Sequence, residues 1–202
     1  MNAGDTMKKE YLPLIGVLAS LAIFALSATR YPGGYDWIHH SISALFQPTA
    51  LNGEENPARK PAMLAVFIFC VSVGILFKSV SMKGKSHFHR KTIEIAGIGS
   101  MVYAFLVVTP MHNVLVSVSL LFYVTAMLAI LHLLYVERHV RMFCAGMVCV
   151  ALLLTGAVMY YGNVLFGLLP LVQKTSLAMS VSWLFALQFS ESKGGAQRSD
   201  PA

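Results

Sequence analysis

The chain has little charge. Only 12 % of its 202 residues are Asp, Glu, Lys or Arg, and nine of these are acidic. Against that, 56 % are hydrophobic and the mean hydropathy is +0.66. A soluble domain of this length cannot hide so much apolar surface behind so few charges, so the expected solvent is a bilayer. The net charge of +6 does not argue for nucleic acid as a partner, because the cations lie between apolar segments and not in one patch. Cysteine is also scarce. Cys70, Cys144 and Cys149 all fall inside apolar segments. Cys144 and Cys149 point about 140° apart on a helix, which suits packing better than bridging or metal binding. The sequence has no heptad array, internal repeat or nucleotide loop. No charged residue lies near the middle of an apolar segment, where an ion-coupled transporter keeps its coupling groups.

What is present is a series of six apolar segments, at about 11–29, 61–80, 92–109, 112–135, 142–161 and 170–189. They predict an all-α, polytopic membrane protein whose residues 1–190 form a single six-helix transmembrane domain. Residues 1–10 are polar and expected to fray, and residues 191–202 read as a flexible cytoplasmic tail. Lys8-Lys9 and Leu26-Ser27-Ala28 around the first segment resemble a signal peptide. Its apolar run is longer than a usual signal core, which favours a retained helix. With both termini inside, eleven of the fifteen Lys and Arg residues fall on the inner side. Arg30, Arg59, Lys60 and Lys174 fall outside. That asymmetry orients the chain with both termini cytoplasmic. Small residues Ala96, Ser100 and Ala104 form a stripe suited to close helix contact.

The longest connection, 31–60, carries Tyr35-Asp36-Trp37-Ile38-His39-His40-Ser41-Ile42-Ser43-Ala44-Leu45-Phe46. On a helical wheel Trp37, Ile38, Ile42, Leu45 and Phe46 share one half, while Asp36, His39, His40 and Ser43 share an arc opposite. This predicts a short interfacial helix on the outer rim, capped by Asp36. Asp36, His39 and His40 are candidate catalytic groups, with His112 as the one distant residue able to join them across the outer surface. Ser41, Ser43, Asn113, Tyr160 and Lys174 are candidate ligand-binding residues. Tyr160, with Tyr161, also reads as an aromatic belt, and Lys174 as a snorkelling cation. The same polar residues equally suit a capped helix whose histidines face water.

His39, His40 and His112 have the chemistry of metal ligands, but adjacent histidines diverge by about 100° and no HxxxH pair is present, so no metal is expected. Haem is not expected either, since spans two, three and five contain no histidine. Membrane lipid is the expected partner, together with a membrane-protein partner or a second copy of the chain.

The Tyr-Asp-Trp-Ile-His-His-Ser-Ile-Ser-Ala-Leu segment, with Thr109-Pro110-Met111-His112-Asn113 between spans three and four, resembles a prokaryotic six-helix membrane family defined as a domain of unknown function. That family is similar to the eukaryotic DRAM/Sfk-type membrane proteins. The resemblance covers most of residues 11–190. Phe46 stands where the family often has glycine. The resemblance implies a six-helix fold in the cytoplasmic (inner) membrane of a prokaryote and a link to lipid organisation, and it transfers no catalytic residue. Three functions are therefore expected, in order. The first is binding of a lipid headgroup or amphipathic small molecule at an extracytoplasmic pocket. The second is an intramembrane hydrolase or transferase, metal-dependent or not. The third is a non-catalytic scaffold or partner subunit.

Overall fold

The computed structural model describes residues 3–190. Within them run six α-helices: α1 (Ala3–Ala28), α2 (Arg59–Ser81), α3 (His87–Leu106), α4 (His112–Val136), α5 (Val140–Gly162) and α6 (Leu169–Ser190). Each covers one of the six apolar segments. The polar lead is helical from Ala3, not frayed to residue 10; the expected tail, 191–202, lies outside the described residues.

Glu10–Ala28 of α1 and all of α2, α4 and α5 are long and apolar enough to cross a membrane. The other two helices are more polar for identifiable reasons. α3 opens with Arg90, Lys91 and Glu94, and α6 carries Gln173, Lys174 and Thr175 followed by serines.

Sequence neighbours pack side by side, and α6 also returns against α2. Small residues set the spacing between helices. Ser20 is fully buried and its hydroxyl donates to the Ala65 carbonyl across the α1–α2 seam. A Cβ on Gly16 would press on the Ser72 side chain, so glycine eases the close approach of α1 and α2 there. Ser100, in the stripe expected from sequence, is also fully buried. Its carbonyl accepts from Ser119 on α4.

Contacts between helix ends define two poles. At one, Gln188 Nε2 donates to the Glu10 carbonyl, Tyr11 stacks on Phe189, Lys78 pairs with Glu94, and Trp183 Nε1 donates to the Met142 carbonyl. The starts of α1, α3 and α5 therefore meet the ends of α2 and α6 there. His89 on α3 also bonds His132 near the end of α4 at this pole. At the other pole, Lys174 near the start of α6 reaches the α1–α2 connection, and Tyr161 at the end of α5 reaches Ser117 on α4.

Much apolar surface stays uncovered. Only 22 % of the most apolar stretch of α5, and 28 % of that of α4, is buried within the chain. Faces this apolar and this exposed need lipid or another protein as their neighbour.

The glycine contacts make a sharp test of the packing. A Cβ on Gly97 would sit 2.3–2.6 Å from the ring and Cβ of Phe77, which is fully buried. One on Gly74 meets nothing within 4 Å. Gly97→Val should lower thermal stability in detergent by about 1–3 kcal/mol or more. Gly74→Ala should be neutral or slightly stabilising. Equal responses of the two variants would contradict the observed α2–α3 packing.

Candidate functional site

The 31–58 connection folds as a cap over the second pole. Pro32 is followed by Gly33 and Gly34, both with positive φ (+75° and +87°), a conformation that glycine takes without steric cost. They turn the chain so that Tyr35 enters between Tyr31, Trp37 and His40, making edge or tilted ring contacts with centroids 4.9–5.7 Å apart. Leu45, Phe46, Ala50 and Ala58 are buried beneath.

The expected continuous interfacial helix is not what forms. Residues 36–40 make a single turn, Ser41 is extended (φ −68°, ψ 153°), and only Ile42–Phe46 is helical, as a 3-10 turn. The reason lies in the carbonyls. In an α-helix the His40 carbonyl would accept from the Ala44 amide. Instead it accepts from Tyr35 Oη (3.0 Å) and from the Lys174 ammonium, and the Ala44 amide donates to the Ser41 carbonyl. The break divides the predicted apolar face. Leu45 and Phe46 are buried, whereas Trp37 and Ile38 are 50 % and 51 % exposed.

Three side chains together hold six carbonyls of this segment. Tyr35 Oη donates to those of His40 and Ser41. Asn56 Nδ2, in a buried residue, donates to those of Ala44, Leu45 and Gln47 at 2.9–3.2 Å. Half-buried Lys174 donates from α6 to Trp37 (2.8 Å) and His40, with its ammonium 5.5 Å from the Tyr35 ring centroid. Lys174 thus does not snorkel freely; it fastens the cap to the bundle within electrostatic reach of Asp36. Burial pushes the Tyr35 phenol above its ordinary pKa, so the group remains a donor.

Asp36 and His39 meet as their spacing predicts. Asp36 Oδ2 lies 2.7 Å from His39 Nδ1, and Oδ1 accepts from the amides of Ile38 and His39. The His39 bond first, then the two amides, hold the Asp36 carboxyl down at about 2, below the ordinary 3.8. An ionised carboxylate only accepts, so His39 Nδ1 is the donor and Nε2 faces outward. His40 is spent locally: its Nδ1 accepts the Asp36 amide at 3.2 Å. Ser43 does not meet His39; its hydroxyl bonds that of Ser41 at 2.8 Å.

His112 belongs to a separate network. Asn113 Oδ1 lies 3.2 Å from His112 Nδ1 and accepts from Tyr160 Oη at 3.0 Å. Ser117 bonds Tyr161 Oη at 2.6 Å. Among the described residues, no hydrogen bond or ion pair joins this group to residues 35–47, and no three His, Cys, Asp or Glu residues are placed to hold a metal. Asn113 and Tyr160, candidates on separate spans, thus share one hydrogen bond. Sequence reasoning missed the structural use of Tyr35 and Asn56, which no spacing rule signals. It also missed the His89–His132 pair, whose ring nitrogens are 2.8 Å apart. Only the antiparallel register of α3 and α4 brings these two together.

The fold defines an all-α helical assembly, with four helices able to cross a membrane, carrying an exposed Asp–His pair on a clamped cap. Known protein-family models, curated proteins and solved structures yield no match to this chain.

The bonds to Asp36 set a pH dependence. Its pKa falls on folding, so the stability it contributes is present above about pH 4 and is lost as pH falls through about 2. In a carboxyl 13C titration of the detergent-solubilised chain, Asp36 should titrate near 2 and move toward 3.8 in His39→Ala. A native midpoint near 4 would contradict the pairing.

Proposed function

We propose that the chain is a six-span protein of a prokaryotic cytoplasmic membrane, with both termini inside. Its outward cap binds a lipid headgroup or an amphipathic small molecule. α3 and α6 complete the six spans in this reading. They match the apolar helices in length and lie antiparallel against them, which puts their more polar residues at the ends or in helix contacts. The cations Lys78, Lys83, Lys85, Arg90 and Lys91 cluster at the pole that holds the described chain ends, which supports that pole as the inner one. The resemblance to the prokaryotic six-helix family and the DRAM/Sfk-type proteins points the same way.

The observation carrying the binding role is the exposed Asp36–His39 pair flanked by half-exposed Trp37 and Ile38. A carboxylate whose chain neighbours expose an indole and an aliphatic side chain suits a ligand with a cationic amine and an apolar body. The enzymatic alternative draws on the same pair, since a carboxylate orienting an imidazole is the base–orienter half of a catalytic set. Against it, Ser41 and Ser43 bond one another, and neither is placed beside His39. Among the described residues, no serine hydroxyl is hydrogen-bonded to the pair. A scaffold or partner-subunit role finds its support in the uncovered faces of α4 and α5.

Two measurements on the full-length chain test this reading. A cysteine introduced at Glu54 should react with an impermeant maleimide from outside intact cells, and one at Ser86 should not; the reverse pattern would overturn the orientation. In native mass spectrometry of the detergent-purified protein, phosphatidylethanolamine should be retained, and Asp36→Asn should lower its retention about ten-fold, the scale of a lost charge-assisted bond. Equal retention by both proteins would remove the cap as the binding site.

A further inference from the structure

A groove of about 670 Å³ lies between α3 and α4, away from the cap and close to the pole where Glu10 and Gln188 meet. Its polarity runs in one direction. His87, Phe88, Lys91 and Thr92, on the first turns of α3, stand at the mouth, and Ile95, Leu121, Phe122 and Thr125 line the rest. Gly99 makes the far end possible: a Cβ there would lie 2.7 Å from the Phe122 ring, so glycine lets that ring settle against α3. From His87 to Ile95 the helix rises about 12 Å, which carries the groove from headgroup level toward the middle of a bilayer core about 30 Å thick.

The segment beside the mouth is strongly basic. Residues 78–91 contain five cations and no acid. The neighbouring acids are already engaged: Glu94 takes Lys78 at 2.8 Å, and Glu137 faces Lys85 and His139 at 3.4 and 3.7 Å. Lys91 reaches Glu94 only at 3.9 Å, as the second cation on a carboxylate whose close bond goes to Lys78. An anion at the mouth would meet the Lys91 ammonium and the Thr92 side chain.

We propose that this groove is a binding site for an anionic phospholipid, with its phosphate on Lys91 and Thr92 and one acyl chain along Ile95, Leu121 and Phe122. One charged end followed by a mainly apolar path, in which the Thr125 hydroxyl turns back to the Leu121 carbonyl, matches a lipid. The site lies at the opposite pole from the cap and does not use Asp36 or His39. It rests on the membrane reading above only in requiring that the helices be embedded.

Native mass spectrometry of the full-length chain, purified in detergent and offered equal dioleoylphosphatidylglycerol and dioleoylphosphatidylcholine, tests it. Phosphatidylglycerol should be retained about five-fold over phosphatidylcholine, the discrimination one well-placed lysine gives against an anionic lipid. Lys91→Gln should remove that preference, and Leu121→Trp, on an exposed lining position, should lower retention of both lipids by obstructing the chain path. Lys60→Gln, at the other pole, should change neither. No preference in the native chain would overturn the site. So would a preference that survives Lys91→Gln, which would indicate general attraction to a basic surface, or a lipid-free dimer blocked by Leu121→Trp. Carbonate extraction of membranes, run in parallel, separates the two failures. If the chain is released, the membrane reading itself fails; if it stays and shows no preference, only the groove does.

Discussion

The cap depends on one ammonium group. Lys174 rises from the first turns of α6 and meets the carbonyls of Trp37 and His40, at the point where the α1–α2 connection could otherwise have continued as helix. A main-chain carbonyl withdrawn from its helical partner needs another donor, and the need is strongest where water is scarce. Lys174, Tyr35 and Asn56 supply those donors. Because the carbonyls are taken, residues 36–40 form one isolated turn, Ser41 extends, and helix resumes only at Ile42. That break turns Trp37 and Ile38 outward while Leu45 and Phe46 stay inside. It also leaves Asp36 free to cap its own turn and hold His39.

The two poles then differ in chemistry for a physical reason. At the cap, Tyr35, Asn56 and Lys174 are spent on backbone, while the Asp36–His39 pair, Glu54 and Glu55 stay exposed. At the opposite pole the connections are short and rich in lysine and arginine, so their charges face outward and their acids are shared. Between the poles there is little polar chemistry beyond serine and threonine. Most of these return to their own helix three or four residues back, as Ser100 does to Gly97 and Thr155 to Ala151. Ser20 is different: its hydroxyl crosses to α2 and ties two backbones together.

The helices were legible in the sequence because apolar length is a local signal, read without knowing any partner. The Asp36–His39 contact was legible for the same reason, since a spacing of three residues suffices to bring them together. The helix across 35–46 was not. Its apolar periodicity is present, but the competing donors, Asn56 and Lys174, are distant in the chain, and Lys174 is more than 130 residues away. Long-range capture of a carbonyl leaves no trace in periodicity. His112 illustrates the converse. Sharing a pole with His39 and His40 made it a candidate partner, yet its side chain is tied to Asn113 in the α4–α5 network. Being on the same side of a bundle is a weaker constraint than being in contact.

The role of Lys174 is open to direct measurement by amide hydrogen exchange on the intact chain in detergent, comparing the native protein with Lys174→Met. The amides of Ile38, His39 and His40 should exchange about ten-fold faster or more in the variant, the scale expected for losing hydrogen bonds to a charged group. Exchange within α2 and α4 should stay unchanged. Unaltered exchange across 38–40 in the variant would contradict the account, because the cap would then hold its shape without the ammonium.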